Sequence, residues 1–375
     1  MKIVIAPDSY KDSLEATDVS EIIAQAIHDV EPSIRTVLKP MADGGEGTLN
    51  SLFHRGNIEK VDVFVTGARG GKINTYYGIS DDHIAFIEMA LIAGLEQVPF
   101  SERNPYITTS YGLGEVMEDA YRRGCRQFVI GIGGSATNDG GLGMLQALGM
   151  KAYDINGEEV SVFGKDLSNI HTVDVTALKK WQSEVEIKVA SDVNNPLCGK
   201  RGATYVYGPQ KGLFSSNLEQ FDQAMDRYGG ILETAFQNNF KNQEGAGAAG
   251  GIGFALLCLH AKLKSGAKLI AQMIELEQEL EDAAFVITGE GKTDEQTLYG
   301  KAPSYVATLA KQYNVPTVLF SGSIKSNHEK LQDQFAGCFS IVNGPLSLEE
   351  SMSQAETLLY EQTKQIMSLI LTFYK

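Results

Sequence analysis

The sequence has 375 residues, of which 43% are hydrophobic, and it carries a formal net charge of −15. This length predicts two domains, because most domains have about 100–200 residues. The sequence has no basic stripe of the kind that binds nucleic acid. It also has no apolar run of about 20 residues, the length that a transmembrane helix needs. An anionic substrate would have to be captured by local donors, because the overall charge repels it.

The cysteines and the N-terminus suggest where the protein works. Four scattered cysteines form no CxxC pair, which argues against a zinc site or a disulfide framework. Reduced thiols of this kind are typical of the cytoplasm. The N-terminal apolar run is too short for a signal peptide, so we expect a soluble cytoplasmic protein.

The predicted elements alternate along the chain. Short β-branched runs bounded by Gly, Asp or Ser predict buried strands. In chain order these strands are residues 2–6, 36–39, 128–132, 285–288, 317–320 and 339–342. Amphipathic helices are predicted at 17–30, 113–123, 303–313 and 349–373. This alternation favours an α/β fold with a mostly parallel, doubly wound sheet.

Two other regions differ in pattern and predict a second α/β domain inserted into the first. Residues 61–89 alternate in character between glycine turns, as extended segments do. Residues 151–280 combine short predicted strands at 186–190 and 204–207 with a helical stretch at 251–264. We therefore assign residues 1–60, 96–150 and 281–375 to a discontinuous first domain, and 61–95 and 151–280 to the inserted one.

Loops rich in glycine and carboxylates follow the predicted strands, at the edge where open parallel sheets bind ligands. They are residues 8–13, 42–48, 133–141, 289–294 and 321–323. Glycine lets a backbone approach a ligand closely, and exposed N–H groups bind phosphates. Phosphoryl transfer needs such donors, together with carboxylates for Mg²⁺ and a base. A single loop of this type is usually just a turn, but several at one sheet edge favour a phosphoryl-transfer site.

Other signatures leave alternatives open. The Gly131-x-Gly133-x-x-Ala136 run fits the relaxed dinucleotide fingerprint, which keeps a nucleotide-dependent oxidoreductase as a rival. A second GxGxxG, at 245–250, lacks a preceding strand and could instead serve close helix packing or form a helix N-terminus that faces an anion. A non-catalytic nucleotide or sugar-acid sensor is the other rival. No GxSxG elbow surrounds Ser135, so a hydrolase triad is unsupported.

Three lysines and one aspartate occupy comparable loops. Lys11, Lys211 and Lys292 could neutralise a phosphate or a substrate carboxylate, or they could be solvated surface charges. Asp192 follows the predicted strand 186–190. It could be a base, a metal ligand, or a turn residue before Pro196.

These motifs together resemble those of the bacterial glycerate kinase family, the type I glycerate 2-kinases, over almost the whole chain. As they stand here they read APDSYKDSL (6–14), MADGGEGT (41–48), IEMALIAGL (87–95), NPYITTSYGLGE (104–115), GIGGSATNDGG (131–141), SDVNNPLCG (191–199), GPQKG (208–212), GAGAAGGIG (245–253) and TGEGKTDEQT (288–297). Two departures are visible. Asp12 stands where the family usually has glycine, and residues 68–70 stand where it often has Pro-Leu-Gly.

The resemblance implies a flavodoxin-like domain carrying the inserted α/β domain. It also implies ATP- and Mg²⁺-dependent phosphorylation of D-glycerate to 2-phosphoglycerate, in glyoxylate or sugar-acid breakdown. We expect neither a nucleic-acid nor a membrane partner. The sequence leaves a monomer and a homodimer equally open.

The matching motifs supply the expected site residues. Asp192 is the leading candidate for the general base, and Lys11 and Asp43 complete the predicted catalytic set. Substrate contacts are expected from Asp8, Ser9, Lys11, Gly44, Gly45, Glu46 and Asn194. Nucleotide contacts are expected from Gly133, Gly134, Ser135, Thr137, Asp139, Gly289, Glu290, Gly291, Lys292 and Asp294. Asp43 and Asp192 are the candidate Mg²⁺ ligands.

Overall fold

The structure is a computed structural model that describes residues 1–54, 56–295, 297, 300–325 and 328–373. Its strands are β1 (Lys2–Ile5), β2 (Arg35–Leu38), β3 (Ile58–Thr66), β4 (Lys72–Ser80), β5 (Ile84–Glu88), β6 (Gln127–Gly131), β7 (Lys151–Tyr153), β8 (Thr172–Asp174), β9 (Glu186–Ala190), β10 (Lys262–Lys264), β11 (Phe285–Thr293), β12 (Thr317–Ile324) and β13 (Gly337–Ser340). The two main sheets are formed by all of these strands except β7 and β8, which pair with each other.

The helices connect and cover these strands. They are α1 (Ala16–Val30), α2 (Thr48–Phe53), α3 (Ala90–Ala93), α4 (Tyr111–Arg122), α5 (Leu142–Ala147), α6 (Lys179–Ser183), α7 (Ala203–Tyr207), α8 (Leu218–Phe236), α9 (Ala248–Cys258), α10 (Gly266–Met273), α11 (Ala302–Gln312), α12 (His328–Gln332), α13 (Leu348–Ser353) and α14 (Ala355–Phe373). Among the described residues, no helix combines the length and the apolar character needed to span a bilayer.

Contacts divide the chain into two compact units. The first, which we call the five-stranded unit, comprises Met1–Asp43, Asn50–Gly56 and Ser265–Lys375. Its sheet has the order β13-β12-β11-β1-β2, and every neighbouring pair is parallel. Numbered within this sheet alone, the order is 2-1-3-4-5, which is that of flavodoxin-like folds. The predicted flavodoxin-like, doubly wound sheet is therefore confirmed.

Alternation along β12 shows that both faces of this sheet are covered. Val318 and Phe320 belong to a buried cluster with Ile23 of α1 and Leu359 of α14. Leu319, which points to the opposite face, packs with Ala307 of α11 and Leu331 of α12. Helices on both faces explain why these strands are nearly continuous in apolar residues.

The second unit, which we call the six-stranded unit, comprises Gly44–Leu49 and Asn57–Lys264. Its sheet has the order β10-β9-β6-β5-β4-β3. In this sheet β5, β6, β9 and β10 pair in parallel, whereas β3, β4 and β5 form an antiparallel meander. Its core surrounds the chain's single tryptophan, Trp181, which packs against the rings of Phe128 and Tyr121.

The sheet order corrects the predicted position of residues 96–150. We expected this segment beside the N-terminal strands, but β6 pairs with β5 and β9 of the six-stranded sheet. Residues 265–280, expected in the inserted domain, group instead with the five-stranded unit. Strand–loop–helix alternation is a local pattern, and it does not specify which sheet a strand joins, because pairing between parallel strands is non-local.

Two secondary-structure predictions were also wrong. Residues 204–207 are helical in α7 although Thr, Tyr and Val favour strands, because Thr204 is fully buried and accepts a hydrogen bond from the Asn138 amide. The helix predicted at 251–264 ends at Cys258, and Lys262–Lys264 pairs with β9. Tertiary packing thus overrode local propensity in both segments.

Candidate active site

In the five-stranded unit, the loop after β1 crosses the extended end of β11. The Asp8 N–H donates to the Gly289 carbonyl at 2.8 Å, and the Ser9 N–H donates to the Asp8 carboxylate at 2.7 Å. A Cβ on Gly289 would lie 3.0 Å from the Tyr10 hydroxyl, and one on Gly291 would lie 3.2 Å from the backbone nitrogen of Lys11. Glycine at both positions therefore lets the β1 loop approach β11 closely.

This arrangement corrects the loop predicted at 289–294. Gly289, Glu290, Gly291 and Lys292 are part of β11, which continues to Thr293 and pairs with β12 through Glu290–Ser321 and Lys292–Ser323. Residues 321–323 are likewise strand rather than loop. Glycines in a strand often mark close approach of another backbone, which is their role here.

Glu290 brings a buried carboxylate to this strand end. It accepts hydrogen bonds from the Thr297 hydroxyl at 2.7 Å and the Thr293 hydroxyl at 2.9 Å. Burial raises the pKa of Glu290, and the two hydroxyls and Lys301 oppose that rise. The carboxylate is therefore held in one orientation by its two threonine partners.

Asp8 and Asp43 add two more carboxylates in the same unit. Burial and then repulsion from Asp43 raise the pKa of Asp8 well above its ordinary range, and Glu290 adds to the repulsion. The Ser9 N–H and the Lys301 ammonium act in the opposite direction. Such concentrated negative charge, perturbed by burial and by like charges, is characteristic of functional sites.

The chemistry of these residues suits Mg²⁺ bound together with phosphates. Across the described ranges, no group of three or more His, Cys, Asp or Glu side chains is arranged as a metal cage. Mg²⁺ does not require one, because it usually binds through one or two carboxylates plus water and substrate phosphates. The carboxylates of Asp8 and Asp43 supply hard oxygen ligands and an excess of negative charge that a divalent cation would neutralise.

The two predicted lysines of this unit are both solvent-accessible. Lys11 is exposed on the β1 loop, and Lys292 forms an ion pair of 3.1 Å with Asp294 at the end of β11. Asp12, next to Lys11, has a φ of +61°. Glycine adopts this left-handed conformation without the steric cost that a side chain brings.

In the six-stranded unit, the 44–47 loop lies over the ends of β6 and β9. The Gly133 N–H donates to the Gly44 carbonyl at 3.0 Å, and a Cβ on Gly44 would approach the Ala190 Cβ to 2.6 Å. A Cβ on Gly134 would approach the Glu46 carboxylate to 2.9 Å, and one on Gly133 would approach the Gly45 Cα to 2.6 Å. The predicted residues of the 44–46 and 133–134 loops are thus in direct contact.

Glu88 holds the 44–47 loop in place through hydrogen bonds to its backbone and to the start of α2. Its buried carboxylate accepts the N–H groups of Gly47 at 3.1 Å and Leu49 at 2.9 Å. Glu88 is not among the site residues predicted from the sequence. The available signal was its place in the IEMALIAGL motif, at the end of the buried strand β5.

The 133–141 loop is supported by two buried charged side chains. Lys211 donates from Nζ to the Ser135 Oγ at 2.9 Å and to the Thr137 carbonyl at 2.6 Å. Asp139 is fully buried and accepts from both the N–H and the hydroxyl of Ser110 at 2.7 Å, and from the N–H groups of Gly141 and Gly143. Asp139 therefore holds the loop in place, and its carboxylate is directed away from solvent.

The geometry of this loop departs from a dinucleotide-binding turn. A dinucleotide fingerprint opens directly into a helix whose N-terminus faces the pyrophosphate. Here α5 begins only at Leu142, six residues after Ala136. The oxidoreductase reading of Gly131, Gly133 and Ala136 thus lacks its structural context.

The 245–253 segment packs closely against two neighbouring loops. A Cβ on Gly250 would lie 2.1 Å from the Thr137 carbonyl, and one on Gly247 would lie 2.2 Å from the Pro196 carbonyl. Ala249, Gly250 and Gly251 all have positive φ. The segment therefore packs its backbone directly against both the 133–141 loop and the loop after β9.

The loop after β9 presents the predicted base to solvent. Asp192 and Asn194 are exposed, whereas the neighbouring Asn195 is tied down by the Tyr207 hydroxyl at 2.6 Å and by the Arg201 carbonyl at 2.7 Å. The Gly247 N–H also donates to the Asn195 carbonyl at 2.8 Å. An exposed carboxylate on an anchored loop suits a residue that must reach a substrate hydroxyl.

Comparison with known proteins identifies the family of this chain. The family model described as the glycerate kinase family matches residues 3–371. The chain is 42% identical to a glycerate kinase of Bacillus subtilis, covering 99% of this chain and 98% of that protein. It is 41% identical to the glycerate 2-kinase of Escherichia coli, covering 95% and 94%.

A solved structure is similar over the full length. A crystal structure from Salmonella typhimurium LT2, whose protein is assigned as glycerate kinase 2, is 40% identical with a TM-score of 0.88, and the match covers 100% of this chain and 99% of that one. The chain therefore belongs to the glycerate kinase family and is a kinase, a phosphotransferase with an alcohol group as acceptor.

Proposed function

We propose that this enzyme transfers the terminal phosphoryl group of ATP to D-glycerate, forming 2-phosphoglycerate in an Mg²⁺-dependent reaction. The relatives named glycerate kinase and glycerate 2-kinase support this substrate and this product. The structural observation that carries the proposal is the carboxylate group of Asp8, Asp43 and Glu290, which concentrates negative charge beside Lys301. A kinase that binds Mg²⁺ with its nucleotide needs such a group.

The residues of the five-stranded unit would bind Mg²⁺ and neutralise the negative charges of the phosphates and the substrate carboxylate. Asp43 would bind Mg²⁺, which neutralises the phosphate oxygens when bound. Lys11 and Ser9 would hold the glycerate carboxylate or the transferring phosphoryl group, with Asp8 beside them. Gly289, Glu290, Gly291, Lys292 and Asp294 would contribute to nucleotide binding, with Lys292 as the exposed cation of that strand end.

The residues of the six-stranded unit would orient glycerate and the nucleotide, and would accept the proton of the reacting hydroxyl. Asp192 would take the proton of the reacting hydroxyl as the new P–O bond forms and the terminal P–O bond of ATP breaks, an effect worth about 10²–10⁴-fold. Asp192 remains the second candidate Mg²⁺ ligand. Gly44, Gly45, Glu46 and Asn194 would contact glycerate, and Gly133, Gly134, Ser135 and Thr137 would contact the nucleotide phosphates, with Asp139 holding their loop.

The setting of the reaction follows from the same proposal. The four cysteines are all free thiols, as expected in the reducing cytoplasm. A phosphorylated three-carbon acid can enter the reactions of lower glycolysis, so we place the enzyme in glyoxylate or sugar-acid breakdown.

The test is ³¹P NMR of the purified protein with D-glycerate, ATP and Mg²⁺. We expect a 2-phosphoglycerate resonance to grow as ATP is consumed. Without Mg²⁺, we expect no 2-phosphoglycerate to form and no ATP to be consumed. An Asp43→Asn variant should lose at least about 100-fold in rate, because it removes a charge that stabilises the bound cation. A 3-phosphoglycerate resonance would overturn the choice of hydroxyl, and intact ATP and glycerate would overturn the proposed substrate.

A further inference from the structure

Lys211 occupies an unusual environment for a lysine. It lies in the short turn Pro209–Lys211 of the six-stranded unit, and its side chain is only 2% exposed. Lysine is almost never fully buried unless it is paired. Its Nζ donates to the Ser135 Oγ and the Thr137 carbonyl, so the ammonium lies directly beneath the 133–137 loop.

Asp139 is the charged group that acts on Lys211, and Tyr228 and Arg103 contact its surroundings. Asp139, on the same loop, favours the ammonium form, whereas burial disfavours it and lowers the pKa of Lys211 to about 7. The Tyr228 hydroxyl of α8 is buried and faces Asp139. Arg103 donates to the carbonyl of Gln210, the residue that precedes Lys211. The enclosed ammonium is thus incompletely compensated, and it can gain from a nearby anion.

We propose that Lys211 is a positioning residue for the 133–137 loop, which fixes the Ser135 hydroxyl and the Thr137 carbonyl and couples anion binding at this loop to uptake of a proton. This inference rests on the proposed role of the loop in binding nucleotide phosphates. Lys211 itself need not touch the nucleotide, because a charge in a low-dielectric interior acts over several ångströms.

The coupling follows from linkage. A phosphate bound at the loop stabilises the charged form of Lys211 and raises the pKa of its ammonium. Between pH 7.5 and 8.5 the free enzyme holds this site largely deprotonated, so binding draws a proton from solution, up to about one per site. A lysine with an ordinary pKa is already protonated in this range and would take up none.

The experiment is calorimetric titration of the full chain with ADP and Mg²⁺ at pH 8, in two buffers that differ in ionisation enthalpy. The difference between the two measured enthalpies gives the number of protons taken up. Lys211→Met removes the charge and both hydrogen bonds, and Lys211→Arg keeps a cation that stays protonated. Lys179→Met, at an exposed position of the same unit, is the matched control.

We expect wild type and Lys179→Met to take up between about half and one proton, and both Lys211 variants to take up close to none. At pH 6.5, Lys211→Met should bind ADP at least about tenfold more weakly than wild type, and Lys211→Arg should be closer to wild type. A structural defect alone would weaken binding without changing the proton count relative to wild type.

The inference is overturned if wild type takes up no proton at any pH from 6.5 to 9, a measurement that needs no variant to fold. It is equally overturned if either Lys211 variant takes up as many protons as wild type. The proposed function fails separately, when ³¹P NMR shows no phosphoryl transfer. Transfer with unchanged proton uptake in the variants would remove only the role of Lys211.

Discussion

Asp8 in the five-stranded unit and Lys211 in the six-stranded unit are buried groups of opposite charge. The five-stranded unit gathers the carboxylates of Asp8, Asp43 and Glu290, whose mutual repulsion and burial raise the pKa of Asp8. The six-stranded unit encloses the ammonium of Lys211, and burial lowers the pKa of that group to about 7. In both units the charged form is disfavoured, so the folded state is less stable than neutral side chains would make it.

This difference indicates where function has shaped the sequence. A buried charge without full compensation costs stability, and proteins retain such groups mainly where chemistry requires them. Asp139 accepts from four donors that oppose the rise in its pKa caused by burial, and it holds structure. The comparison can be tested by neutralising one charge at a time in each unit.

The largest effect is expected for Asp8→Asn. We expect kcat/KM to fall by at least about 100-fold, because a charged oxygen ligand that would stabilise bound Mg²⁺ is lost. The stability of the folded protein should rise at neutral pH. The pKa of Asp8 is raised in the fold, so wild type loses stability as pH rises above the ordinary range of aspartate, and the variant does not.

Calorimetric unfolding from pH 4 to 8 measures this effect, with Asp333→Asn, an exposed position of the same unit, as control. The gain of Asp8→Asn over wild type should grow with pH, and that of the control should stay near zero. A variant that is less stable than wild type at pH 8 would contradict the picture of repelling carboxylates.

Gly250→Ala tests the glycine packing of the six-stranded unit. A Cβ there would lie 2.1 Å from the Thr137 carbonyl, and φ is +69°. Overpacking and the left-handed conformation together should cost about 2–4 kcal/mol. Urea unfolding followed by the fluorescence of Trp181, the chain's single tryptophan, reports on this unit.

Gly71→Ala is the matched control, because no atom lies within 4 Å of its added Cβ. We expect this variant to stay within about 0.5 kcal/mol of wild type. Equal effects of the two substitutions would mean that the 245–253 segment does not pack on the 133–141 loop as described.

Lys211→Met tests the opposite sign of charge. The pKa of Lys211 is lowered in the fold, so above pH 7 the unfolded chain binds more protons and wild type gains stability as pH rises toward 10. The slope is at most about 1.4 kcal/mol per pH unit, and Lys211→Met should lack this contribution. Trp181 fluorescence in urea at pH 7, 8 and 9 measures the difference, and parallel pH profiles would refute the shift.

The smallest effect is expected at Asp12, where φ is +61° and the Tyr10 N–H donates to the Leu14 carbonyl across the turn. Asp12→Gly should stabilise the protein by up to about 1 kcal/mol, because glycine adopts this conformation without a steric cost. Asp12→Ala should destabilise it by a similar amount. Calorimetry of the two variants provides the comparison, and the same sign for both would rule out backbone strain as the cause.

Much of this organisation could be predicted from the sequence. The strands at 2–6, 36–39 and 317–320 were located to within a few residues, because buried strands carry continuous apolar runs and end at glycine or polar residues. The motifs indicated the family, which the comparisons confirm. The site residues remain predictions, although the structure brings Gly44, Gly133 and Gly134 together as their motifs suggested.

The sequence by itself determined the α/β class, the kinase family and the loops at 8–13, 42–48 and 133–141, since these follow from local patterns and from motifs. Only the tertiary structure decided that β6 joins the six-stranded sheet, that Gly289 and Gly291 lie in a strand, and that Lys211 is buried beneath the 133–137 loop. Strand pairing, close backbone approach and burial depend on residues far apart in the chain. Local periodicity contains no information about such neighbours.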